Sequence, residues 1–203
     1  DGRASGMGAG HIYQNWTSVF SCCGFSDFTR STNLGASYQG PLSLPSPRMM
    51  WGTNDVAADG TLYIAGSALN QSGHLVTRSS NARNPGVTPT CEFVNSVSLG
   101  GLTGGFGGAD DPNPGGLLGQ VWIVADPSDV NRVYMLASVV PPAGNPIDVM
   151  FIRSVNKGVS WSAPVRVNDD PVSGAFHWFG TMSVAPNGRI DVVWNDSRHS
   201  GVG

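Results

Sequence analysis

The chain has 203 residues, of which 12% are charged, with a formal net charge of -3 and a single lysine, Lys157. This balance argues against a surface built to bind nucleic acid or another polyanion. No apolar run approaches the roughly 20 residues that a membrane-spanning helix needs. The 28 glycines and 14 prolines favour many short strands joined by turns.

A six-residue pattern occurs three times along the chain. It spans residues 28–33, 76–81 and 151–156, and each copy predicts a short strand that ends in Arg-Ser-x-Asn. Between the copies recurs a hairpin of two apolar strands, whose turns contain Asp59-Gly60, Asp126-Pro127 and Asn187-Gly188. Repeats at this spacing indicate an architecture of stacked supersecondary units.

Two copies continue into a glycine turn and an aromatic residue. They read Ser31-x-Asn33-x-Gly35-x-Ser37-Tyr38 and Ser154-x-Asn156-x-Gly158-x-Ser160-Trp161. Asn bonds backbone amides in such a turn, and glycine supplies positive φ. The pattern resembles the Asp-box, or BNR repeat, of sialidases and related β-propellers, over about residues 27–198. The resemblance implies structural roles, on the face opposite the functional one, for Ser31, Asn33, Gly35, Ser154, Asn156, Gly158 and Trp161.

The middle copy departs from this pattern. Residues 82–85 separate Asn81 from Gly86, and no aromatic residue follows at the usual place. We therefore expect an enlarged turn there.

The predicted strands fall into four units. They are 11–19, 27–31 and 38–44; then 53–57, 61–67, 74–79 and 92–99; then 120–125, 132–139, 148–154 and 163–168; and finally 181–185 and 189–194. Closed propellers have about four to eight blades, and open arcs leave exposed edges. We expect an all-β propeller of four-stranded antiparallel blades, with about three and a half present. The single domain, 1–203, would then be incomplete at one or both ends and belong to a six-bladed or larger ring.

Antiparallel blades place two sets of loops on one face, the loops that enter the first strand and those that leave the second. We expect substrate binding there by Arg48, His177, Trp178 and Arg198, with Asp110, Asp111 and Asp196 as candidate catalytic groups. Arginine grips a carboxylate with two parallel bonds, aromatic rings stack on sugars, and a desolvated carboxyl serves as general acid. A structural alternative is that Asp196 and Arg198 pin a loop by pairing with each other.

The family resemblance implies a secreted propeller, extracellular or periplasmic, that binds or hydrolyses terminal sugars of a glycoconjugate. If it is an enzyme, an exo-sialidase-like activity is expected. Sialidases use a Tyr nucleophile, three Arg, an Asp and a Glu, yet Glu92 is the single Glu here and begins an outer strand. The Phe-Arg-Ile-Pro motif of the family does not appear, and residues 46–49 resemble it only remotely. The alternative is a non-catalytic scaffold that binds other protein chains.

Two further features leave alternatives open. The stretch Gly100–Gly119 encloses Asp110-Asp111, where oxygen-rich side chains suit calcium, or it is a long mobile loop over the functional face. No other cofactor is expected. Cys22, Cys23 and Cys91 make an odd count, so that a disulfide from Cys22 or Cys23 to Cys91 and buried or partly paired cysteines are both possible.

Overall fold

The computed structural model describes residues 1–17, 21–103, 119–143, 145–171 and 174–199. Every regular element in these ranges is a strand. In chain order they are β1 (Ile12–Asn15), β2 (Phe28–Ser31), β3 (Gln39–Leu42), β4 (Met49–Val56), β5 (Leu62–Ala68), β6 (His74–Ser79), β7 (Val94–Val97), β8 (Leu102–Thr103), β9 (Val121–Ala125), β10 (Val133–Val140), β11 (Asp148–Ser154), β12 (Val165–Arg166), β13 (His177–Val184) and β14 (Ile190–Asp196).

The strands form four consecutive antiparallel sheets. The first sheet is β1-β2-β3, and the second is β4-β5-β6-β7. The third is β9-β10-β11-β12, with the short β8 paired to the end of β10, and the fourth is β13-β14. The prediction of an all-β fold built from antiparallel blades is therefore confirmed, and the second and third sheets carry the predicted four strands in order.

The second strands of the second and third sheets are buried along almost their whole length because sheets cover both of their faces. All seven residues of β5 are buried, and so are the first seven of β10. Both strands are rich in Ala, Ser and β-branched or aromatic residues, which fit between closely packed sheets. The apolar clusters accordingly lie between sheets: Leu62 and Phe28 share one cluster, Tyr63 and Val133 a second, and Leu136 and Met182 a third.

Hydrogen bonds between neighbouring sheets align their inner strands. The backbone N–H of Ile123 donates to Thr53 Oγ1 at 2.9 Å, and that of Ala125 donates to Asp55 Oδ2 at 2.9 Å. Burial raises the pKa of Asp55, while the backbone bonds to Ala125 and Val56 oppose that shift. Strand β4 contacts β9, and β9 contacts β13, so that the sheets stack side by side like propeller blades.

The first and third copies of the repeat form the same turn. The backbone N–H of Gly158 donates to Ser154 Oγ at 2.9 Å, and that of Ser160 donates to Asn156 Oδ1 at 2.9 Å. In the first copy, the N–H groups of Gly35 and Ser37 make the corresponding bonds at 2.9 Å each, to Ser31 Oγ and Asn33 Oδ1. Both glycines have positive φ, 87° and 80°. Asn33 and Asn156 thus occupy equivalent turns.

The middle copy keeps this turn's anchor despite its longer loop. Asn81 Oδ1 accepts the backbone N–H of Thr90 at 2.9 Å, the bond that Ser160 makes in the third copy. Two residues further on, Glu92 N–H donates to Arg78 O at 3.0 Å, just as Ser162 N–H donates to Arg153 O at 2.8 Å. Cys91 therefore occupies the position that Trp161 has in the third sheet.

The arginines of the first two repeats fasten their sheets to the turn of the next sheet. The fully buried guanidinium of Arg30 donates to the carbonyl oxygens of Ala82, Asn84 and Val87 at 2.7, 2.8 and 2.8 Å. Arg78 Nη1 likewise donates to Lys157 O at 2.8 Å, and its Nε donates to Glu92 Oε2 at 2.6 Å. Arg153 is exposed. We call the contacts of Arg30 and Arg78 the arginine latches.

Two expectations concern features other than strands. No disulfide links the three cysteines, all of which lie in the described ranges. Of the two alternatives, the structure therefore favours unbridged, partly buried cysteines over a bridge from Cys22 or Cys23 to Cys91. Cys91 instead packs, half-buried, against the cluster between the first and second sheets. Among the residues that the structure describes, none belongs to a helix able to cross a membrane.

Candidate functional site

The candidate site lies where β13 begins and β14 ends. His177 pairs with Asp196 across these strands, and a bulge separates Trp178 from Thr181. The expectation that His177 and Trp178 lie in a loop is therefore wrong, because both belong to β13 and pairing continues beyond the bulge. An equivalent bulge follows Met50 in β4. Trp51 and Phe179, the aromatic residues of the two bulges, have left-handed backbones with φ of 52° and 53°.

His177 is fully buried beneath this edge and is surrounded by carboxylates. Its Nε2 lies 3.0 Å from Asp170 Oδ1 and 3.6 Å from Asp196 Oδ2, and its Nδ1 lies 3.1 Å from Ile147 O. The contact with Asp170 is close but not aligned as a hydrogen bond. Because its side chain is fully buried, His177 is not accessible to a ligand in this structure and supports the carboxylates around it.

Two asparagines hold the carboxylates around His177 in place. Asn168 Nδ2 donates to Asp148 Oδ1 and to Asp170 Oδ1, both at 2.8 Å. Asn145 Nδ2 donates to Asp148 Oδ1 at 2.9 Å and to Asp170 Oδ2 at 3.2 Å. Burial by itself would raise the pKa of Asp170, but the bonds from the asparagines and the nearby His177 outweigh burial and lower it. The asparagines therefore fix these carboxylates as the base of the site beneath the surface, and Asp170 among them is ionised at neutral pH.

Above this base, Arg198 lies between two carboxylates. Its Nε and Nη2 are 2.7 and 2.6 Å from Asp196 Oδ2, and its Nη1 is 2.9 Å from Asp169 Oδ1. The side chains of Arg198, Asp196 and Asp169 are 30%, 20% and 83% exposed. We call these three residues the carboxylate–arginine rim. Trp178, half-buried, follows His177 in β13 and pairs with Asn195.

The charges of the rim set the protonation state of Asp196. Burial would raise the pKa of Asp196, yet the backbone N–H and guanidinium of Arg198 and the nearby His177 together lower it. The two carboxylates in turn raise the pKa of Arg198. Asp196 is thus ionised at neutral pH, which makes it a hydrogen-bond acceptor and a poor general acid.

Arg48 lies apart from this rim, immediately before β4. Its Nη1 is 3.3 Å from Asp27 Oδ2 and also donates to Phe25 O. Its guanidinium carbon stands 4.4 Å from the centroid of the Phe25 ring. Asp27 is fully buried and accepts the backbone N–H of Leu44 at 2.7 Å. Arg48 therefore holds the segment before the second sheet, two sheets along from Arg198.

The remaining candidates lie outside the described residues. These are Asp110 and Asp111, together with the calcium site expected there, since the structure describes nothing between residues 103 and 119. Within the ranges it does describe, no group of three or more His, Cys, Asp and Glu side chains is arranged to hold a metal ion.

Several residues of the site escaped the sequence reasoning, namely Asn145, Asp148, Asn168, Asp169 and Asp170. The run Asn168-Asp169-Asp170 follows β12 and belongs to the segment that leads into β13. Three consecutive oxygen-bearing side chains in a loop of the functional face were the signal available. Their partners, His177 and Arg198, are distant along the chain, which is why no local motif joins them.

The chain matches no protein-family model. It also matches no curated protein. Among solved structures, it is similar to a thermostable family-43 glycoside hydrolase at 14% identity and a TM-score of 0.36, over 83% of this chain and 56% of that chain. The chain thus spans 56% of the length of that neighbour.

Proposed function

We propose that this chain is a glycan-binding propeller that holds a terminal sugar at the carboxylate–arginine rim. The observation that carries the proposal is the clamp of Arg198 between Asp196 and Asp169 at a partly exposed edge. Ionised carboxylates accept hydrogen bonds from sugar hydroxyls. The repeated Ser-x-Asn turns support membership of the Asp-box propellers, and a glycan target suits an extracellular or periplasmic location.

The charge of the rim favours a neutral sugar over a sialic acid. Two carboxylates meet one guanidinium in the rim, so its formal charge is negative. The carboxylate of a sialic acid would have to displace Asp169 or Asp196 from Arg198. It would then be repelled by the aspartate that stayed in contact with Arg198. Hydroxyl groups of a neutral sugar can bridge the existing pair without displacing either carboxylate.

Glycoside hydrolysis is the catalytic form of this proposal, and it needs a proton donor besides Asp196. The depressed pKa of Asp196 suits binding or water activation. Asp110 and Asp111, in the segment that precedes β9, are the acids we assign to proton donation. Hydrolysis of neutral glycosides by the wild type, with loss of turnover in Asp111→Asn or Asp110→Asn and retention of binding, would support this assignment.

Binding to a glycan panel tests the rim directly, with Arg198→Ala as the variant. We expect a loss of affinity of about 10-fold or more, the cost of one charge-assisted contact. Arg189→Ala is the matched control, because Arg189 pairs with Asp191 at 3.0 Å near the opposite end of β14. Equal affinities in the two variants, or no glycan binding by the wild type, would contradict the proposal.

One observation favours the second candidate, a non-catalytic scaffold. All three guanidinium nitrogens of Arg198 already contact carboxylates, which is what a purely loop-pinning pair requires. In that case, Arg198→Ala would lower the melting temperature and leave glycan binding absent or unchanged. Binding and thermal denaturation measured on the same variant therefore distinguish the two functions.

A further inference from the structure

We propose that the cavity between the first and second sheets, next to Cys91, binds a small uncharged aromatic molecule. We call it the inter-sheet cavity. Its volume is about 250 Å³, and its walls include Phe28, Leu42, Leu44, Leu62, Ile64 and Cys91. This site lies away from the carboxylate–arginine rim and does not depend on the function proposed for that rim.

The reason for the cavity follows from the repeat. In the third sheet, Trp161 follows the turn residue Ser160 and packs against the cluster between the second and third sheets. In the second sheet, Thr90 takes the place of Ser160, and Cys91 takes the place of Trp161. Cys91 belongs to the equivalent cluster between the first and second sheets. A thiol therefore stands where the next repeat places an indole, and the inter-sheet cavity lies beside it.

The buried part of the cavity wall is largely apolar, with Ser79 as the one buried polar residue among the described residues that line it. Phe28, Leu62 and Ile64 are 3%, 1% and 1% exposed, whereas Leu42 and Cys91 are half-buried nearer the mouth. An engineered cavity of about 150 Å³ with similar aliphatic and aromatic walls stays dry and binds benzene. The inter-sheet cavity is larger, so a one- or two-ring molecule has room to enter.

The equivalent position in the third sheet indicates which kind of molecule fits the inter-sheet cavity. The Trp161 indole contacts its apolar surroundings beside Tyr63 and Phe93, and its Nε1 is buried with no hydrogen-bond partner among the described residues. An indole ring is therefore tolerated at this repeat position through packing alone. Burial also raises the pKa of the Cys91 thiol, which keeps the mouth of the cavity uncharged at neutral pH.

Free indole is the probe for the test. At a concentration of about ten times its Kd, indole should raise the Tm of the chain by about 3–5 °C, because it binds the folded state. Cys91→Trp places an indole in the cavity covalently and should abolish this shift. Cys91→Ser leaves the cavity open and should preserve it. A shift of equal size in Cys91→Trp would overturn the proposal, and so would no shift in either wild type or Cys91→Ser.

A second measurement does not depend on the folding of the tryptophan variant. In a chain carrying Cys22→Ser and Cys23→Ser, Cys91 is the one thiol left, and its alkylation by N-ethylmaleimide can be followed by mass spectrometry. Indole at about ten times its Kd should slow that alkylation about tenfold, since occupied cavities shield the thiol. An alkylation rate that indole leaves unchanged would show a cavity filled by water and would refute the proposal.

Discussion

Substitution of His74 by valine should remove a large part of the acid sensitivity of this protein. His74 begins β6, is 1% exposed, and neither ring nitrogen has a hydrogen-bond partner within the described residues. Burial lowers the pKa of His74 from 6.5 to about 4. As the pH falls from 6.5 to about 4, His74 becomes protonated in the unfolded chain but stays neutral in the folded chain. This stabilising contribution is complete above pH 6.5 and is lost toward pH 4, and it amounts to about 3 kcal/mol.

Valine is the matched replacement because the third sheet has a valine at the equivalent position. His74 lies opposite Ser67 in the second sheet, and Val149 lies opposite Ser138 in the third. Between neutral pH and pH 4, the free energy of unfolding should decrease in both proteins. Urea denaturation should show that this decrease is about 3 kcal/mol smaller in His74→Val than in wild type. Ionised carboxylates such as Asp170 and Asp126, whose pKa values are lowered, add a loss of the same sign at lower pH in both proteins. The exposed His199→Val should keep the wild-type dependence. Parallel curves for wild type and His74→Val would refute the reasoning.

Three further changes in unfolding free energy can be measured by the same denaturation. Trp161→Ala should cost about 3–5 kcal/mol because Trp161 packs between two sheets, whereas Tyr38→Ala, 44% exposed at the equivalent position, should cost under about 1 kcal/mol. Gly52→Ala should cost about 3 kcal/mol or more because a Cβ there would stand 1.7 Å from Ala65 O; Gly2→Ala, which meets nothing within 4 Å, is its control. Arg30→Ala should cost about 3–5 kcal/mol because it removes a fully buried guanidinium and the donors to the carbonyl oxygens of Ala82, Asn84 and Val87. The exposed Arg153→Ala should be nearly neutral.

Sequence alone located most strands of this fold because alternation and turn residues agree along them. The predicted strands 74–79 and 148–154 coincide with β6 and β11. The starts of β4 and β13 were missed, since both strands contain a bulge with an aromatic residue at positive φ. A bulge shifts the side chains to the opposite face and breaks the alternation that strand prediction depends on.

The candidate site was less predictable because its contacts join residues far apart in sequence. The pairing of Asp196 with Arg198 is local and could be named in advance as a structural alternative. The contact of Arg198 with Asp169 and that of His177 with Asp170 cannot be deduced from spacing. The complete burial of His177 likewise depends on how these segments pack, so its expected role in substrate contact could be judged only in three dimensions.

The enlarged turn of the second sheet links the arginine latches to the inter-sheet cavity. Glu92 neutralises the latch arginine Arg78, but the corresponding partner of Arg30 is the uncharged Gln39, whose Oε1 accepts from Arg30 Nε at 2.9 Å. The charge of Arg30 is met instead by carbonyl oxygens of residues 82–87, which the longer loop brings together. The same loop ends at Cys91, where the third sheet has an indole. The enlarged turn therefore stabilises the buried guanidinium of Arg30, which has no carboxylate partner among the described residues. It also places Cys91 at the position where, in the third sheet, Trp161 fills the space between two sheets.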